Sequence, residues 1–406
     1  MGRIDTVVVG GGQAGLAVSH HLAAEGVDHV VLERGAVAER WTSERWDSLR
    51  LITPRWMSTL PGWEYSGPEP DGFMDRDEVV RYLRAYAMAS RAPVRTGVAV
   101  RSVRAGRAGF EVRTGEGALS ARNVVVATGS TGRPYVPSSA ADLTPRVHQL
   151  PIRDYRNPGG LPAGGVLVVG ASSSGLAVAE ELRAAGREVV LAVGRHSRLP
   201  RTYRGRDVFA WLRDLGWLAE TVDEVPDVAR ARREPRLQLA TRAGARLDLW
   251  TAHGMGIRVV GSVRGASGEE VRLADDLAAT SVAATRAEHA LLDRIDDDLA
   301  GGGRPRRPVR PVLPASPRTL HLRRAGISAV VWATGYQPSY PFLDLPVLDR
   351  GGQVVQRRGV TPVPGLYVVG TRFQHRRDSV FLDGVRWDAE AVVSHLAGRD
   401  ARRLAV

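Results

Sequence analysis

The chain has 406 residues, 56 basic against 44 acidic for a formal net charge of +12, and no cysteine. The length allows two or three domains, and the missing cysteine excludes a redox-active thiol pair, disulfide staples and thiolate metal sites. Every basic residue is arginine, interleaved with acids rather than gathered into a basic block with aromatics, so no nucleic-acid partner is expected. No apolar run reaches the roughly 18 residues of a membrane span, so no membrane is expected and the cytoplasm is the expected compartment.

The first element is "VVVGGGQAGLAVSHHL", residues 7 to 22. Three valines lead into Gly10, Gly12 and Gly15, and apolar residues then recur at helical spacing, which predicts strand, tight turn and helix. Gly10 allows the turn, Gly12 lets a pyrophosphate approach the backbone, and Gly15 lets the helix pack on the strand. The phosphates would sit on the free amides of the helix N-terminus. A second strand, "HVVLERG", ends in Glu33, 18 residues after Gly15. A carboxylate there can accept hydrogen bonds from both ribose hydroxyls of an adenosine.

Further along, "ARNVVVATGS" at 121 to 130 reads as a buried strand ending in Ala-Thr-Gly, and "RNPGGLPAGG" at 156 to 165 as a linker. A second fingerprint follows as "VLVVGASSSGLAVAEEL". Adding 160 to the first set of positions gives Gly170, Gly175, Leu176, Ala177, Val178, Leu182 and Gly186, all identical, with Ser172 replacing glycine. The position matching Glu33 is Val193, followed by Arg195, Arg198, Arg201 and Arg204. Arginines in place of the acid predict a preference for the 2′-phosphate of NADP over NAD. A side chain at position 172 would keep the pyrophosphate farther from the backbone and weaken binding relative to the first site. That pairing, one cofactor held tightly and one that exchanges, predicts FAD at the first turn and NADPH at the second.

The stretch 301 to 317, rich in Pro, Gly and Arg, is expected to be an exposed loop. "ISAVVWATGY" at 327 to 336, containing Gly335, and "VPGLYVVGTR" at 363 to 372, containing Gly370, read as strands. A helix is expected from about Asp383 and Gly384, with its N-terminal dipole directed at the flavin ring. The predicted fold class is α/β, with two Rossmann-like dinucleotide-binding domains. Residues 1–155 and 336–406 would form a discontinuous FAD domain, and 156–335 an NADPH domain inserted in it.

Both fingerprints, both Ala-Thr-Gly crossings and the Gly370 strand together resemble the class B flavoprotein monooxygenases. "ERWDSLRLITPRWMSTLPGWEYSGPEPDGFM" and "VGRHSRLPRTYRGRDVFAWL" resemble a CzcO-like bacterial branch of that group. The resemblance implies FAD contacts at Gly10, Gly12, Gln13, Ala14, Gly15, Glu33, Arg40, Trp41, Thr128 and Gly129. It implies NADPH contacts at Gly170, Ser172, Ser173, Ser174, Gly175, Arg195 and Arg201; Val100, Gly335 and Gly370 complete the expected cofactor set. Trp41, Trp46, Trp56 and Trp63 lie in a segment whose family counterpart covers the flavin ring. Trp46, Thr53 and Tyr155 are the expected catalytic residues. Thr53 stands near the position of an asparagine that animal members place beside the flavin. Tyr155 is the one surviving aromatic of the linker fingerprint FxGxxxH, where Pro145, Val147 and Pro151 replace the other residues and His148 lies three residues upstream of Pro151.

The implied activity is that of an FAD-dependent, NADPH-consuming monooxygenase acting through a peroxyflavin, with dioxygen and a small-molecule substrate as partners and no metal. Two alternatives stand beside it. One is an NADPH oxidase or flavin reductase without substrate oxygenation, and the other a regulatory flavoprotein that senses NADPH. The residues leave open the substrate, whether nitrogen, sulfur or carbon is oxygenated, and a homodimer.

Overall fold

The computed structural model describes residues 3–107, 109–232, 247–299, 303–307 and 310–398, and the backbone alone of 237–238. Two parallel sheets dominate, each wound in the same way. In the first, strands Val94–Arg95, His29–Leu32, Arg3–Val9 and Gly117–Val126 lie side by side in that order. Leu366–Val368 adds a further parallel strand against Gly117–Val126. In the second, the order is Arg258–Val260, Val189–Ala192, Gly165–Val169, Ile327–Trp332 and His148–Pro151, all parallel. The strand carrying each glycine turn is therefore central in its sheet, with the strand carrying the Ala-Thr-Gly on one side.

Burial on both faces explains why these strands are runs of valine and leucine rather than alternating patterns. In the first sheet Val8, Val31 and Val125 pack with Leu16, Leu22, Val385 and Val392 of helices Gln13–Ala24 and Val385–Leu396. Val7, Val9, Val30, Leu32, Val124 and Val126 point the other way, onto Phe110, Val112 and Leu343. The second sheet repeats the arrangement. Val166, Val168, Leu191 and Val331 pack with Leu176 and Leu182 of helix Ser173–Ala184, and Leu167, Val169, Val190 and Trp332 with Ala266, Val271 and Leu320. Each such side chain contributes about 1.5–3 kcal/mol by leaving water, so a charge at Val8 or Val168 would disrupt the layer that supports its glycine turn.

Each copy also carries an antiparallel meander, Val100–Gly106, Gly109–Thr114 and Gly117–Val126 in the first and Val263–Ser267, Glu270–Leu273 and Thr319–His321 in the second. The second meander is interrupted by the long helix Leu277–Asp298. The chain enters the second sheet at His148, upstream of the linker expected at 156, and returns to pair Tyr336 and Gln337 with Pro134 and Arg133. The expected linker forms a short turn at Pro158–Gly160 capped by the Asn157 side chain. Within the expected loop at 301 to 317, Arg307 pairs with Asp293 and Arg310 with Asp248, which fasten it to the second copy; positions 301–302 and 308–309 lie outside the described residues.

Candidate active site

The first turn has the geometry its sequence predicts. Gly10 has φ +114°, and a Cβ there would lie 2.7 Å from the Ala127 carbonyl oxygen, while one at Gly15 would lie 1.9 Å from that of Gly10. Gly12 is different, since a Cβ there would meet no heavy atom within 4 Å. The fold needs Gly10 and Gly15, whereas Gly12 keeps open space that a ligand can use. Glu33 is buried, its Oε2 accepting from the Gly11 amide at 2.7 Å and its Oε1 from the Gly35 amide at 3.0 Å. Each carboxylate oxygen keeps a lone pair for a ribose hydroxyl.

Gly10, Gly12, Gln13, Ala14, Glu33, Arg40, Trp41, Val100, Thr128, Gly129 and Gly370 all line one cavity of about 940 Å³. Arg40 is turned onto its wall by hydrogen bonds to the Thr131 carbonyl and hydroxyl, and burial pulls its pKa below the usual arginine value. Gln13 Nε2 donates to the Val380 carbonyl at 3.1 Å, tying the start of the first helix to the loop 380–382 on the opposite wall. Gly370 serves close packing, because a Cβ there would come within 2.9 Å of Ala14 Cβ. Sequence reasoning missed Gly11, whose amide fixes Glu33, and Val380–Leu382, which carry no motif.

The second turn superposes on this logic. Gly170 has φ +109°, and a Cβ at Gly175 would lie 1.8 Å from the Gly170 carbonyl oxygen. Ser172 has φ −76° and ψ 178°, close to the −90° and −171° of Gly12, so serine fits the backbone without strain. Ser172, Ser173 and Ser174 line a second cavity of about 1110 Å³. Gly170 and Gly175 lie behind its wall, as Gly15 does in the first copy, and act through the turn. The two cavities share Trp41, Arg45, Leu51, Ile52, Ser130, Val380 and Phe381. Trp46 lines the second cavity beside this junction and Thr53 the first.

The stretch that carries Trp41 and Trp46 is held there by the linker, whereas Trp56 and Trp63 line neither cavity. The Asp47 amide donates to the Arg156 carbonyl at 2.8 Å, Asn157 Nδ2 donates to Asp47 Oδ2 at 2.7 Å, and the Arg156 guanidinium reaches the carbonyls of Ser43 and Arg45.

Apart from Gly15, Gly170 and Gly175 behind the turns, four expected site residues line neither cavity, namely Tyr155, Arg201, Gly335 and Arg195. Tyr155 is fully buried in the core of the second copy, with its hydroxyl donated to Glu181 Oε2 at 2.8 Å. Burial, then the Glu181 carboxylate, pushes its pKa upward, and it lines neither cavity. Its place is structural rather than catalytic. Arg201 is 4% exposed, paired with Asp207, and donates to the Ile52 carbonyl at 2.6 Å. It supports the junction from behind instead of meeting a nucleotide. Gly335 also lines neither cavity; its carbonyl accepts from the Tyr135 amide where the chain crosses back. Arg195 is exposed beyond the strand Val189–Ala192 and makes no hydrogen bond or ion pair among the described residues. Pro151 pairs with Trp332 in the edge strand of the sheet and His148 is exposed, and among the described residues no histidine lines either cavity.

A family model for pyridine nucleotide-disulphide oxidoreductases matches residues 7–223. The chain belongs to that family. It is 30% identical over 397 residues to an uncharacterized CzcO-like oxidoreductase of Geobacillus kaustophilus (strain HTA426), covering 97% of this chain and 98% of the relative. It is 32% identical over 208 residues to the indole-3-pyruvate monooxygenase YUCCA1 of Oryza sativa subsp. japonica, about half of either chain. A flavin-containing monooxygenase from Stenotrophomonas maltophilia has the same fold, with a TM-score of 0.68 at 22% identity over 99% of this chain and 100% of that one. The expected resemblance to class B flavoprotein monooxygenases of the CzcO-like branch holds, and the protein is an oxidoreductase. The open space at Gly12 and the amide-held Glu33 fit an adenine dinucleotide. The disulphide chemistry in the family's name has no thiol pair here.

Proposed function

We propose that the protein is an FAD-dependent, NADPH-consuming monooxygenase of a small organic substrate, with dioxygen as co-substrate. The observation that carries this reading is the shared wall of the two cavities at Trp41, Arg45, Leu51, Ile52, Ser130, Val380 and Phe381. A dinucleotide on each turn would bring its redox end to that junction. Residues 1–155 and 336–406 would hold FAD, and 156–335 NADPH. Bound FAD supplies the electron transfer and oxygen chemistry.

The chain's own residues bind, orient and exclude water. Glu33 would hold the FAD ribose and the amides after Gly12 its pyrophosphate. Ser172 to Ser174 would line the NADPH pyrophosphate site, and the free guanidinium of Arg195 would meet the 2′-phosphate. Trp41, Trp46, Leu51, Ile52 and Phe381 make the junction apolar, which keeps water from the reacting centre. Thr53 would place its hydroxyl on the flavin side. The N-terminus of helix Val385–Leu396 follows Val380–Leu382 on the FAD wall and would favour negative charge there.

A specific observation favours a second reading. Among the described residues no histidine stands on either wall, and Pro151, at the fingerprint position, is locked in a strand. Without a histidine there the protein would act as an NADPH oxidase that releases hydrogen peroxide. The test is stoichiometry across a panel of amines, sulfides and ketones. One oxygenated product per NADPH supports the monooxygenase, and hydrogen peroxide equal to NADPH consumed with every compound supports the oxidase.

A further inference from the structure

Two consecutive backbone amides at the junction have no partner among the described residues. On either side of them the Leu51 amide donates to the Met74 carbonyl at 2.9 Å and the Arg55 amide to the Gly72 carbonyl at 2.8 Å, and Pro54 has no N–H to give. The amides of Ile52 and Thr53 make no hydrogen bond with any described residue. Thr53 is nonetheless buried, and it lines the first cavity. Buried backbone amides are almost always bonded, so one on a cavity wall marks a place where a ligand supplies the acceptor.

Arg201 fixes the direction of the Thr53 amide. Its Nη1 donates to the Ile52 carbonyl at 2.6 Å, its Nη2 pairs with Asp207, and its own carbonyl accepts from the Val208 amide at 2.9 Å. The guanidinium lies over the rings of Phe73 at 4.9 Å and Phe209 at 5.3 Å, and Asp207 Oδ1 accepts from the Phe209 amide at 2.8 Å. Arg201 stands behind the wall and lines neither cavity. The Ile52–Thr53 peptide is trans, so its C=O and N–H point in opposite directions. A carbonyl held by Arg201 therefore turns the Thr53 N–H away from that residue, to the cavity side.

Resting on the reading that FAD fills the first cavity, we infer that the Thr53 amide donates a hydrogen bond to a carbonyl oxygen of the flavin ring, and that Arg201 is the residue that positions it. The fixed peptide selects the acceptor. The ring nitrogen that takes up hydride gains an N–H on reduction and would then meet the amide donor to donor. The carbonyl oxygens accept in both redox states and gain negative charge on reduction, so a donor held in place favours the reduced ring. Arg201 comes from the segment proposed to hold NADPH and the Ile52–Thr53 peptide from the segment proposed to hold FAD, so the contact joins the two units where the electrons pass.

The test is the midpoint potential of the bound flavin, read with its Raman carbonyl bands, in three FAD-loaded proteins. These are the natural protein, Arg201→Lys, and Arg201→Met combined with Asp207→Asn. The double variant removes both charges of the pair and leaves the net charge unchanged, and asparagine can still accept from the Phe209 amide. It is expected to lose roughly tenfold of the preference for reduced over oxidised FAD, a fall of about 30 mV, and to shift a flavin carbonyl band upward. Arg201→Lys, which can still donate to the Ile52 carbonyl, should recover at least half of that fall. A double variant whose potential is unchanged or raised would overturn the inference, as would an Arg201→Lys protein as low in potential as the double variant. If the double variant does not fold, amide exchange of the natural FAD-loaded protein, labelled at threonine, decides instead. The Thr53 amide is expected to exchange at least roughly tenfold more slowly than an unbonded amide, and exchange at the unbonded rate would overturn the inference. The FAD reading fails on a separate observation, namely protein that takes up no FAD.

Discussion

The Gly11 amide donates to Glu33 Oε2 at 2.7 Å, so the acid at the end of the second strand is bonded to the glycine turn at the end of the first. The carboxylate thus has two tasks, closing the turn and presenting lone pairs to the cavity. Glu33→Gln removes one acceptor and sets an NH₂ group against a backbone amide, at about 1–3 kcal/mol. FAD should then dissociate roughly ten- to a hundredfold more readily. FAD retained after dialysis measures this, and unchanged retention would show that Glu33 does not touch the cofactor.

The two turns make opposite predictions for glycine and serine. Ser172→Gly should tighten NADPH and NADH together, because the pyrophosphate is common to both and the backbone at 172 already matches Gly12. Gly12→Ser should leave the melting temperature of the FAD-free protein unchanged, since a Cβ there meets nothing, yet lower FAD content. Gly15→Ala should fail to fold, with a Cβ 1.9 Å from the Gly10 carbonyl oxygen. Nucleotide affinities, FAD content and thermal melts of the three variants check this. A Gly12→Ser variant that unfolds would place the need for glycine in the fold instead of the ligand.

Arg195→Ala should raise KM for NADPH roughly ten- to a hundredfold, about 1.5–3 kcal/mol for one charge-assisted contact, and leave NADH nearly unaffected. Anaerobic flavin reduction with each nucleotide reports it. Equal losses with both nucleotides would mean that the exposed guanidinium does not select between them.

Much of this was legible in the sequence, and the exceptions have physical causes. Glycine positions set by close approach, such as Gly10 and Gly15, leave a fixed spacing, so both turns and both Ala-Thr-Gly strands are where the pattern puts them. Tyr155 illustrates the failure. A motif position shows which residue stands there but not whether burial and a partner such as Glu181 have withdrawn it from the cavity. Arg201 failed likewise, because its choice of Asp207 and the Ile52 carbonyl depends on tertiary packing. Val380–Leu382 and the cavity face of helix Leu277–Asp298 have no motif at all, and only the folded arrangement brings them to the site.

Asp378 gives a prediction in pH. It is buried beneath the loop that carries Val380 to Leu382, and burial pushes its pKa up to about 6 even though Arg376 holds it at 3.0 and 3.1 Å. The ordinary value is 3.8, so the folded protein binds the proton more tightly than the unfolded chain. The stability it contributes is present below about pH 4 and is lost as pH rises through about 6. Asp378→Asn should therefore gain stability relative to the natural protein as pH rises from 4 to 7. Urea melts at several pH values measure the difference, and a gap that narrows with rising pH would contradict the burial effect.

The central claim is that one atom of dioxygen is delivered to an organic substrate at the junction of the two cavities. Isotopically labelled dioxygen, supplied to FAD-loaded protein with NADPH and the panel of amines, sulfides and ketones, tests it most directly. The account predicts one labelled oxygen atom in the product for each NADPH consumed. Label recovered only in hydrogen peroxide and water, with every substrate returned unchanged, would contradict it.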